Sequence, residues 1–145
     1  MTDQYAHICS TRVRCPVENI EEFLTSPQKL NQWAVGMGAT VMREDGLIEG
    51  YSEATGKPIF ARIDLDPVHH TIYYHLGDAP ECLVPRIVIQ IKSEDIVESG
   101  DGTNVISMTA WRQDTMTGER WNQLKTLHEN EIKEVRRLII ERQVN

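Results

Sequence analysis

Residues 119–143 read ERWNQLKTLHENEIKEVRRLIIERQ, without a glycine or a proline. The apolar residues of this segment recur mostly at intervals of three or four, which places them in one stripe of an α-helix. They are Trp121, Leu124, Leu127, Ile132, Val135, Leu138 and Ile139. A helix of this length measures about 38 Å, because each residue adds about 1.5 Å. The segment therefore predicts one long helix that can cross a whole β-sheet.

The chain before this helix consists mainly of short β-prone runs separated by turn residues. The first run, 5–14, ends just before Pro16, which cannot continue a central strand. The others are 39–43, 47–53, 58–65, 70–76, 83–92 and 104–112. Asp45-Gly46 is a typical hairpin dipeptide, and an acidic, glycine-containing loop precedes the last run. The sequence predicts seven strands.

Two short helices are predicted between the first and second strands, at Val17–Leu24 and Pro27–Trp33. Pro16 suits the first turn of one helix, and Ser26-Pro27 supplies an N-cap and a helix-starting proline for the other.

Alternation along the strands predicts which residues share a sheet face. The buried set is Ile59, Ala61, Ile63, Leu65, Ile72, Tyr74, Leu76, Ile87, Ile89, Ile91, Ile106, Met108 and Ala110. The opposite set is mostly polar: Arg62, Asp64, Thr71, Arg86, Gln90, Lys92, Ser107 and Thr109. An antiparallel sheet with one face in water and one face under a single long helix is an α+β fold.

The element order, together with CPVENIEEFLTSP at 15–27, Leu30 and Trp33, resembles the START-like (SRPBCC) superfamily, and in particular its polyketide cyclase/dehydratase branch. The resemblance covers nearly the whole chain. It implies the helix-grip fold, in which a curved seven-stranded antiparallel sheet wraps around the C-terminal helix and leaves an apolar cavity between them. It does not imply a reaction, because members of one fold perform many functions.

The composition of the chain limits the classes of molecule that it can bind. The 145 residues carry 15 Lys plus Arg against 22 Asp plus Glu, for a formal charge of −7 and a pI near 5.2. This acidity argues against nucleic acid and against an anionic membrane surface as partners. We expect one domain over 1–145, no membrane insertion, a cytoplasmic location and three reduced cysteines, Cys9, Cys15 and Cys82.

The common catalytic motifs are absent from the sequence: it has no nucleophile elbow, no His-Glu-x-x-His, no phosphate-binding glycine loop and no dinucleotide fingerprint. We therefore expect no cofactor. His69 and His75 would lie about 20 Å apart along a strand, too far to share an ion, so no metal site is expected.

Two polar residues, His128 and Glu131, fall within the apolar stripe of the long helix. They either reach the edge of the cavity or pair structurally, or they orient a ligand or move a proton. On the sheet, Tyr74 and Arg112 share the inward parity, although a buried tyrosine hydroxyl often meets only a backbone carbonyl and a bulge would turn Arg112 outward. Trp33, Met108 and Leu124 complete the predicted cavity lining, with core packing as the alternative for the first two.

Three functions remain open from the sequence. The leading one is binding of a small apolar or aromatic molecule in the cavity. The second is a polyketide cyclase or dehydratase, in which His128, supported by Glu131, removes a proton while Tyr74 or Arg112 stabilises the enolate oxygen. The third is a protein-docking module with a filled core. Weak homodimerisation through the outer sheet face is also predicted, from Phe60, Tyr73, Val88, Val105 and Trp111.

Overall fold

The computed structural model describes residues 4–34 and 36–144 of the chain. Within them the strands are β1 (Ala6–Arg14), β2 (Met37–Met42), β3 (Ile48–Ser52), β4 (Pro58–Asp66), β5 (Thr71–Gly77), β6 (Val84–Lys92) and β7 (Thr103–Trp111). The helices are α1 (Val17–Thr25), α2 (Pro27–Trp33), α3 (Glu94–Val97) and α4 (Gly118–Val144). The long helix, the two short helices and the seven strands match the sequence prediction, whereas the four-residue α3 lies in the acidic loop that was predicted to be irregular.

All seven strands form one antiparallel sheet in the order β1-β7-β6-β5-β4-β3-β2. The strands from β2 to β7 follow one another as neighbours, and β1 closes the sheet by pairing with β7. Helices α1 and α2 carry the chain from β1 at one edge to β2 at the other. The curved sheet wraps around α4, so the predicted α+β helix-grip fold is confirmed.

The inner sheet face and the apolar stripe of α4 form the core. Ile72, Ile89 and Ile106 are completely buried, and Ile63 packs against the core cluster, as alternation predicted. Ile132, Val135 and Ile139 from α4 join Ile20, Phe23 and Leu30 from α1 and α2. Leu65 departs from the prediction and is 38% exposed at the end of β4.

Strand alternation breaks in β6. Tyr74 pairs with Ile87 while His75 pairs with Pro85, so Arg86 has no partner on β5. Such a bulge bends the strand and redirects its side chains. The prediction that Arg86 points to the outer face assumed an unbroken strand, and the bulge removes the basis for that prediction.

Asn104 connects three elements from a buried position on the inner parity of β7. Its amide Nδ2 donates to the backbone oxygen of Cys15 at 2.6 Å, and its Oδ1 accepts from the backbone N–H of Glu94 at 3.0 Å. One side chain therefore joins the end of β1 and the start of α3 to β7. A shorter residue would leave both backbone groups without these bonds.

The apolar residues predicted to support dimerisation through the outer face differ in exposure. Trp111 is 43% exposed, Val88 is 9% exposed, and Phe60, Tyr73 and Val105 are half-buried. Weak dimerisation stays a prediction. In the part of the chain that the structure describes, no helix is both long enough and apolar enough to span a bilayer.

Replacing Asn104 by alanine should lower the free energy of unfolding by about 2–4 kcal/mol, because two backbone groups lose buried partners. Urea denaturation followed by circular dichroism measures this. Ser107→Ala, at a half-buried position of opposite parity on the same strand, is the matched control and should change stability by less than about 0.5 kcal/mol. Equal urea midpoints for the two variants would contradict the role given to Asn104.

Candidate functional site

A cavity of about 670 Å³ opens between one end of the sheet and the N-terminal half of α4. Its apolar wall comes from β4, β5, the loop after β5, β6, β7, the loop after β7, and α4. The apolar residues concerned are Pro58, Ile59, Leu76, Cys82, Ile87, Ala110, Trp111, Met116 and Leu124. His128 adds a polar group to this wall. Charged side chains that also border the cavity are Lys57, Asp78, Arg86 and Arg120.

The structure divides the predicted site residues between this cavity and the core. Leu124 and His128 line the cavity. Trp33, Tyr74 and Met108 belong instead to the core cluster, where each is at most 3% exposed. Tyr74 and Met108 lie on the predicted inner face of the sheet, whereas Trp33 ends α2.

Tyr74 and Trp33 are packing residues in this arrangement. The Tyr74 hydroxyl donates to the backbone oxygen of Leu24 at 2.7 Å, which ties β5 to the end of α1. The two rings meet edge to face with centroids 5.6 Å apart. The phenol therefore already has a partner, as expected for a buried tyrosine.

Arg112 lies just after β7, beside the cavity but outside its lining. Its backbone N–H donates to the oxygen of Tyr5 at 2.7 Å. Its guanidinium Nη2 donates to the oxygen of Met116 at 3.1 Å. Arg112 thereby holds the loop that leads into α4, and Met116 on that loop lines the cavity.

Two buried polar residues, Ser52 and His128, line the cavity, and His128 carries the larger polar group. Only 5% of the surface of His128 is exposed, and its Nδ1 has no hydrogen-bond partner. Burial lowers the pKa of His128 from 6.5 to about 4, and the nearby charges of His7 and Arg120 act in the same direction. At neutral pH the imidazole is therefore uncharged, with one nitrogen able to donate a hydrogen bond and one able to accept.

His7 belongs to the same neighbourhood and was not predicted from the sequence. Its ring stacks on His128 with centroids 6.4 Å apart, and it meets Trp121 edge to face. Its Nε2 lies 3.3 Å from the carboxylate of Glu129. Alternation in β1 carried a usable signal, because inward Val13 implies that Cys9 and His7 also point inward.

Cys9 on β1 and the buried Glu131 on α4 interact electrostatically, and neither is among the residues that line the cavity. The Cys9 thiol donates to the backbone oxygen of His128 at 3.6 Å. Burial, with the charges of Glu129 and Glu131, raises the pKa of Cys9 to about 11, so it is no thiolate nucleophile at neutral pH. Burial and the charge of Glu131 also raise the pKa of Tyr74, which places this buried carboxylate near the tyrosine.

His69 and His70 in the turn between β4 and β5, and His75 on β5, each contact a different carboxylate and do not converge on one site. His69 contacts Asp66, His70 contacts Glu21 and His75 contacts Asp64. Among the residues described, no group of three or more histidine, cysteine or acidic side chains has a geometry that could hold a metal.

Solved structures with the same architecture were found by structural comparison. Protein XoxI from Bacillus cereus has a TM-score of 0.69 at 13% identity, over 97% of this chain and 99% of that chain. The aromatase/cyclase ZhuI from a Streptomyces species has a TM-score of 0.68 at 14% identity, over 97% and 95%. A START superfamily protein from Mycobacterium smegmatis has a TM-score of 0.59 at 12% identity, over 97% of each chain.

The chain has the START-like helix-grip fold. The resemblance seen in the sequence is thus confirmed at the level of the fold, and polyketide aromatase/cyclases are among the proteins that share it. Neither a family model nor a curated protein matches the sequence.

Stability should depend on pH through His128. Because its pKa is about 4 in the folded chain and 6.5 for an unperturbed histidine, the unfolded chain binds more protons between these pH values. The free energy of unfolding is therefore unaffected by this group above pH 6.5. It decreases by about 3 kcal/mol as the pH falls from 6.5 toward 4, because only the unfolded chain takes up the proton. Urea unfolding at several pH values should show a weaker pH dependence in His128→Leu than in wild type.

The control for this experiment is Asn130→Leu, at an exposed position of α4 whose side chain does not titrate. It should keep the wild-type pH dependence over the same range. Parallel curves for wild type and His128→Leu would contradict a depressed pKa.

Proposed function

We propose that the protein binds a small apolar or aromatic molecule in the cavity between α4 and the sheet. The observation that carries this proposal is the cavity itself, whose volume of about 670 Å³ falls within the range of roughly 300–1,000 Å³ that ligand sites occupy. Its wall is mainly aliphatic, which suits a ligand that is driven out of water by its apolar surface.

His128 would orient such a ligand. A neutral imidazole in an apolar wall offers a directed hydrogen bond to a ligand hydroxyl or carbonyl. A few fixed polar groups in an apolar pocket are the usual basis of ligand orientation.

A second candidate is an enzyme of the aromatase/cyclase kind, which the fold of ZhuI and the position of His128 on the cavity wall both support. His128 would then take a proton from an enolisable carbon. A histidine with a pKa of about 4 is a weak base at neutral pH. The hydroxyl of Tyr74 and the guanidinium of Arg112 already bond to backbone oxygens, which argues against their role at an enolate. Binding is therefore the better supported function.

The docking-module alternative requires a filled core between helix and sheet. The open cavity argues against it.

Wild-type protein should bind N-phenyl-1-naphthylamine, a neutral aromatic probe that fluoresces in apolar sites. Flavonoids, aromatic polyketides and fatty acids that bind should displace the probe and raise the melting temperature by mass action. Leu124→Trp, which fills part of the cavity from its wall, should abolish probe binding while the protein still melts cooperatively. Probe binding that survives this substitution would place the probe elsewhere and contradict the proposal.

His128→Leu should keep or raise the melting temperature, because it removes a buried polar group that lacks a full set of partners. For a ligand with a polar group, the ligand-induced rise in melting temperature should fall, and its affinity should drop by about tenfold for one lost hydrogen bond. Differential scanning fluorimetry measures both. Equal ligand-induced shifts in wild type and variant would leave His128 without a binding role.

A further inference from the structure

The residues that border the cavity carry a net positive charge, whereas the whole chain is negatively charged. The protein has 22 acidic and 15 basic residues, yet the cavity is bordered by three cations, Lys57, Arg86 and Arg120, and by one carboxylate, Asp78. We call these three cations the cationic rim. A local excess of positive charge in an acidic protein raises the local concentration of anions.

The cationic rim is not neutralised by neighbouring side chains. Of the ion pairs formed by residues 4–34 and 36–144, none includes a rim cation. Arg120 has only a long contact, 3.5 Å, from its Nη1 to the amide oxygen of Gln123. Arg137 and Arg14, by contrast, have carboxylate partners. The rim cations are thus available to a ligand.

Local backbone structure explains how two rim residues reach the cavity. Arg86 is the unpaired residue of the β6 bulge and precedes Ile87, which lies in the apolar wall. Arg120 lies in the first turn of α4, where the Thr117 hydroxyl accepts the backbone N–H of Arg120. Both guanidinium-bearing residues are half-buried, so their charges are screened by water less than those of exposed residues.

The buried polar side chains that line the same space, Ser52 and His128, are neutral at neutral pH. His128 is 5% exposed with an unpartnered Nδ1, and it lines the cavity together with Arg120. The cavity therefore has an uncharged apolar wall and a positively charged border. A ligand complementary to both parts has an apolar body and an anionic group at one end.

We propose that the ligand is an amphipathic organic anion whose apolar body lies against the aliphatic wall and whose acidic group is held by the cationic rim. This inference rests on the proposed function, because it names the chemical class of the molecule that the cavity takes. The arginines can each present two N–H groups to one carboxylate or sulfonate. Lys57, which is exposed, would add long-range attraction.

The test uses two probes that differ by one charge. They are 8-anilinonaphthalene-1-sulfonate and N-phenyl-1-naphthylamine, which is the same molecule without the sulfonate. Fluorescence titration gives the dissociation constant of each probe for wild type, Arg86→Gln, Arg120→Gln, Lys57→Gln and Lys133→Gln. Lys133 is an exposed cation on α4 outside the cavity lining and serves as the matched control.

Each arginine variant should weaken binding of the anionic probe by about fivefold and leave the neutral probe within twofold, because a partly exposed ion pair contributes about 1 kcal/mol. Lys57→Gln should have a smaller effect in the same direction, and Lys133→Gln should change neither constant. Raising the salt concentration from about 20 mM to about 500 mM should reduce affinity for the anionic probe only.

The proposal is overturned if both arginine variants leave the ratio of the two dissociation constants unchanged. It is also overturned if Leu124→Trp leaves the anionic probe bound, since the anion would then lie outside the cavity. If the neutral probe binds and the anionic probe gains nothing from the rim, the inference fails and the proposed function stands. If neither probe binds the wild-type protein, both fail together. Unchanged melting temperatures verify that the glutamine variants are folded.

Discussion

One long helix, α4, must cover the inner face of a seven-stranded sheet. The positions of the core and of the cavity depend on how tightly each half of α4 packs against that face. The C-terminal half of α4 packs into a dense core, where Ile132, Val135 and Ile139 meet Phe23 of α1. The N-terminal half lies along β1, through Cys9 and His7, and within residues 4–34 and 36–144 no further helix covers the middle strands at that end. The cavity is the space that this unequal covering leaves among the described residues.

The same unequal covering explains what could be predicted from the sequence. Alternation identifies the face of a side chain, and it did so for most inward residues of β4 to β7. It does not identify the position of that residue relative to α1 and α2. Tyr74 and Leu76 share one face of β5, yet the first lies under Leu24 and the second lines the cavity. The core role of Tyr74, Trp33 and Met108 depends on that tertiary placement.

The positions of two other residues near the cavity depend on strand pairing, which a single sequence does not display. Arg86 reaches the cavity border through a β-bulge, which shifts the register by one residue and leaves no mark in an apolar and polar pattern. His7 lies next to His128 because β1, the first strand of the chain, pairs with β7, the last one. Leu124 and His128 could be placed from the sequence because both lie on one long helix, where spacing alone gives the direction of a side chain.

The separation of neutral and charged groups is the physical basis of any selectivity that this cavity has. Burial keeps His128 on the cavity wall uncharged at neutral pH, since a lowered pKa of the imidazole favours its neutral form. An uncharged inner wall discriminates little among apolar molecules, because one methylene changes affinity only modestly. Selection must therefore come from the few groups that impose direction and charge. These are the imidazole on the wall and the cations at the border, where an uncharged ligand would leave Arg86 and Arg120 with water as their partner.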